Sequence, residues 1–323
     1  MWALRLRMYL LLILMFAIVY AIVSMVAYGF FGVSNFNFYL IFSLVMMVIQ
    51  YMVGPKLVEW SMRVRYIRSG EYPELQHMVE ELSRQANIPT PRLGISQVSL
   101  PNAFAFGRWK SDGRVCVTEG ILRLLEPDEL RAVLGHEMTH LKNRDVLTIT
   151  LLSVIPMILY RIFWNMMFFG DRRRSSSGGN YTVLIGLAAF IFYFITNLLV
   201  LYASRIREYF ADRGSVELGN PAHNLASALY KLVYGSARMS KESLREVEGL
   251  KAFFVNDPSR ALTELRELKG LDLDHSGTID AGELINLRSK TVKLSVGDKL
   301  MEVLSTHPNM LKRIKQLSTY ERA

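Results

Sequence analysis

The longest uncharged stretch of the sequence is the feature that most constrains the fold. From Met8 to Pro55, 48 consecutive residues carry no charged side chain. A helix crosses the hydrocarbon core of a bilayer in about 20 residues, so this stretch can hold two transmembrane helices. Turn-forming residues at 32–37 predict a loop between spans at 8–31 and 38–52. The stretch is too long for a cleaved signal peptide, and we expect it to be retained.

Two further apolar segments predict a second membrane hairpin. Residues 147–169 contain a single charge, Arg161, and residues 181–204 contain none. The polar loop at 171–180 carries three consecutive arginines, which conflicts with the usual enrichment of positive charge on the cytoplasmic side. The hairpin therefore either crosses the membrane and tolerates these charges or is only partly embedded. Crossing is favoured because both segments reach the length of a transmembrane helix.

Positive residues near the first pair of spans predict the orientation. Arg5 and Arg7 precede the first span, no Lys or Arg lies in the loop, and Lys56 and Arg63 follow the second span. Both ends of this pair are therefore expected in the cytoplasm. We predict a multi-pass plasma-membrane protein whose polar parts face the cytoplasm. Its expected divisions are 1–58 (two transmembrane helices), 59–146 (first polar part), 147–204 (membrane hairpin) and 205–323 (second polar part).

The charge balance indicates a lipid partner rather than a nucleic acid. The chain has 38 Lys and Arg against 29 Asp and Glu, which gives a net charge of +9, while 51% of its residues are hydrophobic. No nucleic-acid-binding motif accompanies this charge, and a basic collar attracted to anionic lipid explains it. A single cysteine excludes an internal disulfide. The sequence does not indicate an oligomeric state.

The strongest chemical motif is His136-Glu137-Met-Thr-His140. It follows Pro127 and two acidic residues, which are typical of the first turn of a helix. The two histidines then lie one turn apart on one face, as two ligands of a tetrahedral zinc do. Glu137 would act as general base on a water activated by zinc. The same spacing also occurs by chance on helices without a metal.

Glu208 is the candidate for the third zinc ligand. It lies just after the fourth apolar segment, as His140 lies just before the third, so the hairpin returns it towards the histidine helix. Asp212, four residues later on the same helix face, would accept a hydrogen bond from a ligand histidine. Alternatively, the two acids pair with Arg205 or Arg207 at the membrane surface.

Taken together, these motifs resemble the HtpX-type membrane zinc metalloproteases of the M48 class. The resemblance covers nearly the whole chain in the same order. The matching segments are HEMTHLKNRD at 136–145, REYFAD at 207–212, PNAFAFG at 101–107, STHP at 305–308 and Arg313-Ile314.

This resemblance implies an integral-membrane endopeptidase of the gluzincin type. Its polypeptide substrates would be misfolded or damaged membrane proteins, and its active site would face the cytoplasm. The resemblance implies zinc binding by His136, His140 and Glu208. It also implies that Glu137 is the general base and proton shuttle.

Two other segments predict contacts with substrate. Residues 102–107 alternate small and aromatic side chains before a glycine, as an edge strand does, and such a strand can pair with an extended peptide. A buried hairpin fits the same pattern. His307 precedes Pro308 and can donate to the developing oxyanion or anchor the following helix. The residues assigned to the substrate strand are Asn102, Ala103, Phe104 and Ala105.

Residues 272–283 fit the calcium-binding loop of an EF-hand, which the resemblance neither predicts nor explains. Gly277 allows the sharp turn at position 6, and Ile279 is the apolar residue at position 8. The alternative is an acidic surface turn, and whether calcium would regulate or only stabilise the protein stays open. The expected Ca²⁺ ligands are Asp272, Asp274, Ser276, Thr278 through its carbonyl, Asp280 and Glu283.

We expect an α+β, mostly helical fold in which a four-segment membrane helix bundle carries a cytoplasmic gluzincin-type metalloprotease domain. The catalytic helix is expected to run from Pro127 towards the third apolar segment without much interruption. The predicted strands are 92–97, 102–106 and 115–118, and the predicted flanking helices are 73–85 and 118–125.

Two alternative functions remain open. The first is a prenyl-protein protease of the CaaX type, which shares the zinc motifs but carries about seven spans, whereas four are available here. The second is a non-catalytic membrane calcium sensor with a remnant metal site. The intact Glu137 argues against the sensor, because a protein without catalysis has no chemical need for this residue.

Overall fold

The computed structural model describes residues 33–68, 70–98, 100–168, 179–238, 261–268, 270–290 and 295–321. The chain divides into two compact units. One comprises Met1–Met52 and Leu147–Ile206, and the other comprises Val53–Val146 and Arg207–Ala323. The predicted first span, 8–31, lies outside the described residues.

The described secondary structure is mostly helical with one small sheet. In chain order the elements are α1 (Val33–Ser61), β1 (Val64–Tyr66), α2 (Pro73–Ala86), β2 (Arg92–Ser96), β3 (Ala103–Phe106), β4 (Arg114–Thr118), α3 (Glu119–Leu124), α4 (Pro127–Asn143), α5 (Asp145–Phe168), α6 (Gly179–Glu217), α7 (Ala222–Ala237), α8 (Ala261–Leu268), α9 (Ala281–Ser289), α10 (Val296–Val303) and α11 (Met310–Leu317).

Two helices of the described ranges are long and apolar enough to cross a membrane. They are Asp145–Trp164, within α5, and Val183–Glu217, within α6. Side chains of α6 such as Leu184 and Phe194 are at least half exposed, as lipid-facing residues would be. The predicted second span falls within α1, so the four-segment bundle as a whole stays a prediction.

The prediction of a loop at 32–37 was wrong for residues 33–37, the part of this segment that the structure describes. Helix α1 begins at Val33 and continues through Ser61. Turn-forming residues such as Ser34 and Asn35 are also compatible with the first turn of a helix, where backbone N–H groups lack partners within the helix. The predicted loop at 171–180 lies outside the described residues, except that α6 already includes its last two positions.

The unit that comprises Met1–Met52 and Leu147–Ile206 has an apolar cluster of its own. Leu152, Ile155 and Leu159 of α5 form a buried cluster with Val200 and Ala203 of α6. The spacing of three and four residues within α5 places its members on one helix face. The two apolar helices are therefore packed against one another.

The second unit, Val53–Val146 with Arg207–Ala323, contains a four-stranded sheet in the order β1-β2-β4-β3. β2 pairs with β4 in parallel, whereas β1–β2 and β3–β4 are antiparallel. The three predicted strands are confirmed, but β1 was missed because three residues are too few for an alternating pattern. The order leaves β3 at an edge of the sheet, paired with β4 alone among the described strands.

Helix α4 carries the histidine motif through the core of this unit. Its apolar residues Leu134 and Met138 are fully buried in a cluster that includes Val117 of β4 and Leu229 of α7. At the helix start, Glu129 accepts hydrogen bonds from Ser227 at 2.6 Å and Lys231 at 2.8 Å, both on α7. Helix α4 is thus fixed by packing along its length and by polar contacts at its start.

Helix α4 ends before the apolar segment, contrary to the expectation of a nearly continuous helix. Arg144 adopts a left-handed conformation with φ of 56°, and its N–H bonds to the carbonyls of His140 and Leu141. This geometry closes a helix C-terminus. A new helix, α5, begins directly at Asp145.

Helix α4 and the end of α6 cross closely because small residues lie at the contact. A Cβ on Gly214 would lie 2.3 Å from the Thr139 side chain, and one on Gly135 would lie 2.8 Å from Ser215 Oγ. The Ser215 hydroxyl instead donates to the Ala132 carbonyl at 2.6 Å. This crossing places Glu208 of α6 beside the histidines of α4.

Replacing Gly214 by Ala should destabilise the protein, because the new methyl group overlaps Thr139. Overpacking of this kind costs about 1–3 kcal/mol. We expect a lower melting temperature in detergent for Gly214→Ala. Gly54→Ala is the matched control, since a Cβ on this helical glycine meets nothing within 4 Å. Equal melting temperatures for the two variants would contradict the close crossing.

Candidate active site

The three predicted zinc ligands lie together. One ligand atom from each of His136, His140 and Glu208 falls within 4.8 Å of the others. The two histidine Nε2 atoms are 3.1 Å apart, and the Glu208 oxygens lie 3.6 Å from His136 Nε2 and 3.5 Å from His140 Nε2. Two ligands bound about 2.0–2.1 Å from a tetrahedral zinc are separated by about 3.3 Å, so these residues fit the metal.

His136 is held by a buried acid–base pair. Its Nδ1 lies 2.9 Å from Asp212 Oδ1, and both side chains are buried. Arg313 of α11 donates to both Asp212 oxygens, at 2.9 and 2.6 Å, and its Nη1 lies 3.2 Å from Glu208. Asp212 therefore contacts a candidate ligand histidine, and Arg313 contacts both Asp212 and Glu208.

His140 has a comparable acidic neighbour. Its Nδ1 lies 2.6 Å from Oδ2 of Asp145, the first residue of α5. The second Asp145 oxygen pairs with the Arg207 guanidinium. With both Nδ1 atoms facing carboxylates, the two Nε2 lone pairs and the Glu208 carboxylate converge, and a cation there would satisfy them.

Burial and neighbouring groups shift the pKa values of the two histidines in opposite directions. Burial lowers the pKa of His140 to about 4, and the adjacent His136 adds to this effect. Burial also acts to lower the pKa of His136, but hydrogen bonds to Asp212 and Glu208 outweigh it and raise the pKa to about 9. The two imidazoles are therefore not both positively charged near neutral pH in the metal-free protein.

Glu137 is buried, and its carboxyl interacts with both histidines and with the backbone of β3. Burial raises the pKa of its carboxyl, although both histidines and the backbone amide of Ala105 favour the charged form. A raised carboxyl pKa suits a general base that must also release its proton near neutral pH.

The predicted substrate strand coincides with the edge strand β3. Asn102, Ala103 and Phe104 are buried, whereas Ala105 is half-buried and faces Glu137 through its backbone amide. Asn102 donates its backbone N–H to Thr118 Oγ1 at 2.9 Å. The segment thus begins anchored to β4 and ends beside the candidate base.

His307 enters the site from the segment before α11. Its Nδ1 lies 3.2 Å from Glu208 Oε2, and the side chain is buried. No hydrogen-bond partner for its Nε2 is found among the residues that the structure describes.

The calcium-loop residues lie apart in sequence from the histidine group and form a turn of their own. Oxygen atoms of Asp272, Asp274 and Glu283 lie within 4.8 Å of one another. Gly277 has φ of 82°, as the sharp turn requires, and Ile279 is buried. The other expected ligands lie in the same turn: Ser276 Oγ is 2.8 Å from Thr278 Oγ1, and Asp280 caps α9.

Sequence reasoning did not assign a role to Asp145, to the contact of Arg207 with it, or to the buried position of Arg313. Asp145 is the first acid after His140, but its contact depends on the helix break at Arg144. Arg313 is 101 residues from Asp212, so no local pattern relates them. Only the resemblance drew attention to Arg313.

The fold and the site define a membrane-associated metallopeptidase with an HExxH helix. Residues 69–321 match the sequence profile of peptidase family M48. The chain is 50% identical over 232 residues to a protease HtpX homolog of Methanothermobacter thermautotrophicus, covering 72% of this chain and 86% of the relative. It is 35% identical to protease HtpX homolog 2 of Methanosarcina acetivorans, covering 88% and 85%.

A crystal structure of S. mikatae Ste24p has a similar fold. The TM-score is 0.52 at 16% identity, and the match covers 93% of this chain and 62% of that chain. The chain belongs to peptidase family M48 and is an HtpX-like membrane zinc endopeptidase. Neither the CaaX-type protease nor the non-catalytic sensor is favoured.

Glu208→Ala should abolish tight zinc binding, because it removes one of three convergent ligand side chains. The loss is measured as a lower zinc affinity of the purified protein in competition with a chelating dye. Glu217→Ala is the matched control, since this carboxylate lies on the same helix but pairs with Arg213 at the surface. Unchanged zinc affinity in Glu208→Ala would exclude Glu208 as a ligand.

Proposed function

We propose that this enzyme hydrolyses peptide bonds in misfolded or damaged membrane proteins, with its active site on the cytoplasmic side. The observation that carries the proposal is the convergence of His136, His140 and Glu208 beside the buried Glu137. When bound there, zinc would polarise the scissile carbonyl and lower the pKa of a water molecule.

The protein's own groups would then handle the proton and the developing charge. Glu137 would take a proton from the attacking water and transfer it to the leaving amide nitrogen. His307 would donate from Nε2 to the oxyanion, and its buried position 3.2 Å from Glu208 supports this role. Arg313 would keep Asp212 and Glu208 in place through its bonds to both.

Substrate would bind as an additional strand. Strand β3 lies at the edge of the described sheet and would offer backbone groups to an extended peptide. Pairing through the backbone places few demands on the substrate sequence. The backbone amide of Ala105 beside Glu137 supports residues 102–105 as the strand that aligns the scissile bond. A preference for unfolded polypeptide follows, because only an extended segment can pair with an edge strand.

The orientation proposal rests on the sequence around the membrane segments. Arg5, Arg7, Lys56 and Arg63 flank the first pair of apolar segments and favour the cytoplasm for both ends. A second hairpin between 147 and 204 returns the chain to the side on which it left. Four segments, organised as 1–58 and 147–204, would then carry the domain formed by 59–146 and 205–323.

Glu137→Gln should eliminate proteolysis while leaving zinc bound, since it removes the base but no ligand. We would measure cleavage of casein by the detergent-purified, zinc-loaded protein, with zinc content determined in parallel. Glu119→Gln, an exposed carboxylate at the start of α3, should retain full activity. Equal activity in Glu137→Gln and the native protein would contradict the role of Glu137. If the native protein binds zinc but neither it nor Glu137→Gln cleaves casein, the proposed broad endopeptidase activity is contradicted.

A second proposal is that the loop 272–283 binds Ca²⁺. It is supported by the three convergent carboxylates and by Asp272, which is buried and accepts from the backbone N–H groups of Ser276 and Gly277 at 3.0 and 2.9 Å. The proposed ligands remain Asp272, Asp274, Ser276, Thr278 through its carbonyl, Asp280 and Glu283.

Calcium there would act on the helix that carries Arg313. Helix α8, before the loop, holds the start of α11, because Glu267 accepts from the Asn309 side chain at 2.7 Å. Helix α9, after the loop, ends against Lys315 of α11, which donates to the carbonyls of Leu287 and Arg288. Stiffening the loop would therefore steady α11 and its contact with Asp212.

Calcium should raise the melting temperature of the zinc-loaded protein, and Glu283→Gln should remove this increase. Binding at 100 times the dissociation constant stabilises a folded protein by about 2.7 kcal/mol. Asp298→Asn, an acid of α10 outside the loop, should keep the full increase. An identical increase in Glu283→Gln would place calcium elsewhere, and no increase in the native protein would exclude a calcium site. Cleavage rates with and without calcium would separate regulation from stabilisation.

A further inference from the structure

Asp145 and Arg207 form a buried pair beside the zinc ligands that the catalytic scheme above does not use. Asp145 Oδ2 lies 2.6 Å from His140 Nδ1, and Asp145 Oδ1 pairs with Arg207 Nη2. Asp145 is 6% exposed and Arg207 is 8% exposed. One carboxylate oxygen therefore faces the His140 imidazole and the other faces the Arg207 guanidinium, and both Asp145 and Arg207 are buried.

The helix break at Arg144 makes this contact possible. In an uninterrupted α-helix, residues five apart are separated by about 140° around the axis, so position 145 would point away from His140. The left-handed turn at Arg144 ends α4 and starts α5 at Asp145. The break therefore places this carboxylate against the imidazole.

Arg207 is also adjacent in sequence to another candidate ligand, Glu208. Arg207 immediately precedes Glu208, so its contact with Asp145 ties the backbone of α6 at the third ligand to the start of α5. Asp145 and Arg207 are also the residues at which the chain enters and leaves the apolar hairpin. One ion pair thus joins the residue that follows the histidine helix and its cap to the helix that carries Glu208.

We propose that Asp145 and Arg207 are positioning residues for the zinc site, an inference that rests on the proposed function. Asp145 holds the hydrogen of His140 on Nδ1 and thereby directs the Nε2 lone pair at the metal. Arg207 fixes Asp145 by occupying its other oxygen. This arrangement matches that of His136, where Asp212 faces Nδ1 and Arg313 holds Asp212.

Asp145→Asn tests the proposal with zinc affinity as the readout. Asparagine keeps the size of the side chain, but it cannot accept from His140 and Arg207 with both of its terminal atoms. Loss of such a partner typically weakens metal binding by about 10–100-fold, and we expect a loss of this size in chelator competition with the full-length, detergent-purified protein. The cobalt-substituted protein should show an altered visible spectrum. Arg213→Gln, which breaks a surface pair on the same helix, should change neither measurement.

A purely structural role for the pair predicts a different pattern. In that case Asp145→Asn would lower the melting temperature of the metal-free protein but leave zinc affinity and the cobalt spectrum unchanged, which would overturn the proposal. Should Asp145→Asn not fold, Arg207→Lys replaces it, since lysine keeps the charge without the planar fork of the guanidinium. We expect Arg207→Lys to weaken zinc binding several-fold, and native affinity with a native spectrum would overturn the proposal.

The same experiment separates this proposal from the proposed function. If the native protein does not bind zinc, the zinc-dependent function fails. If the native protein and Asp145→Asn bind zinc equally well, only the positioning role fails.

Discussion

The close crossing of α4 and the end of α6 is the contact on which the active site depends. The histidines belong to one helix and Glu208 to the other, so the ligand atoms meet only if the two helix backbones approach closely. Gly135 and Gly214 permit this approach, because a side chain at either position would overlap its neighbours. The close approach at these glycines brings Glu208 within 3.5–3.6 Å of the two histidines, so the three side chains can serve as ligands of one metal ion.

Burial makes each charge in the site dependent on a partner. Removing one member of a buried ion pair typically costs about 3–5 kcal/mol, because the remaining charge cannot recover its hydration. Asp212 meets this requirement through Arg313, and Asp145 does so through Arg207. Each carboxylate then faces one histidine Nδ1. The electrostatic need for partners and the orientation of the ligands are therefore met by the same contacts.

The C-terminal segment completes a site whose central motif lies far earlier in the chain. Helix α11 supplies Arg313, and the residues before it supply His307 beside Glu208. The ends of α8 and α9 hold α11 through Glu267 and Lys315. The loop between α8 and α9 therefore connects two helices that contact α11, and α11 touches two acids of the candidate metal site.

The sequence by itself determined the HExxH helix and three of the four described strands, because each rests on short-range spacing. It identified the candidate third ligand through the apolar hairpin, which returns Glu208 towards the histidine helix. Pro127 and the acids after it begin α4, and the periodicity of helix and strand places side chains on predictable faces. Tertiary structure alone decided the break at Arg144, the position of β3 at the sheet edge and the burial of Arg313 against Asp212. These features depend on contacts between residues distant in sequence, or on one backbone conformation that packing selects. Local propensity also failed at 33–37, where residues that favour turns belong to helix α1.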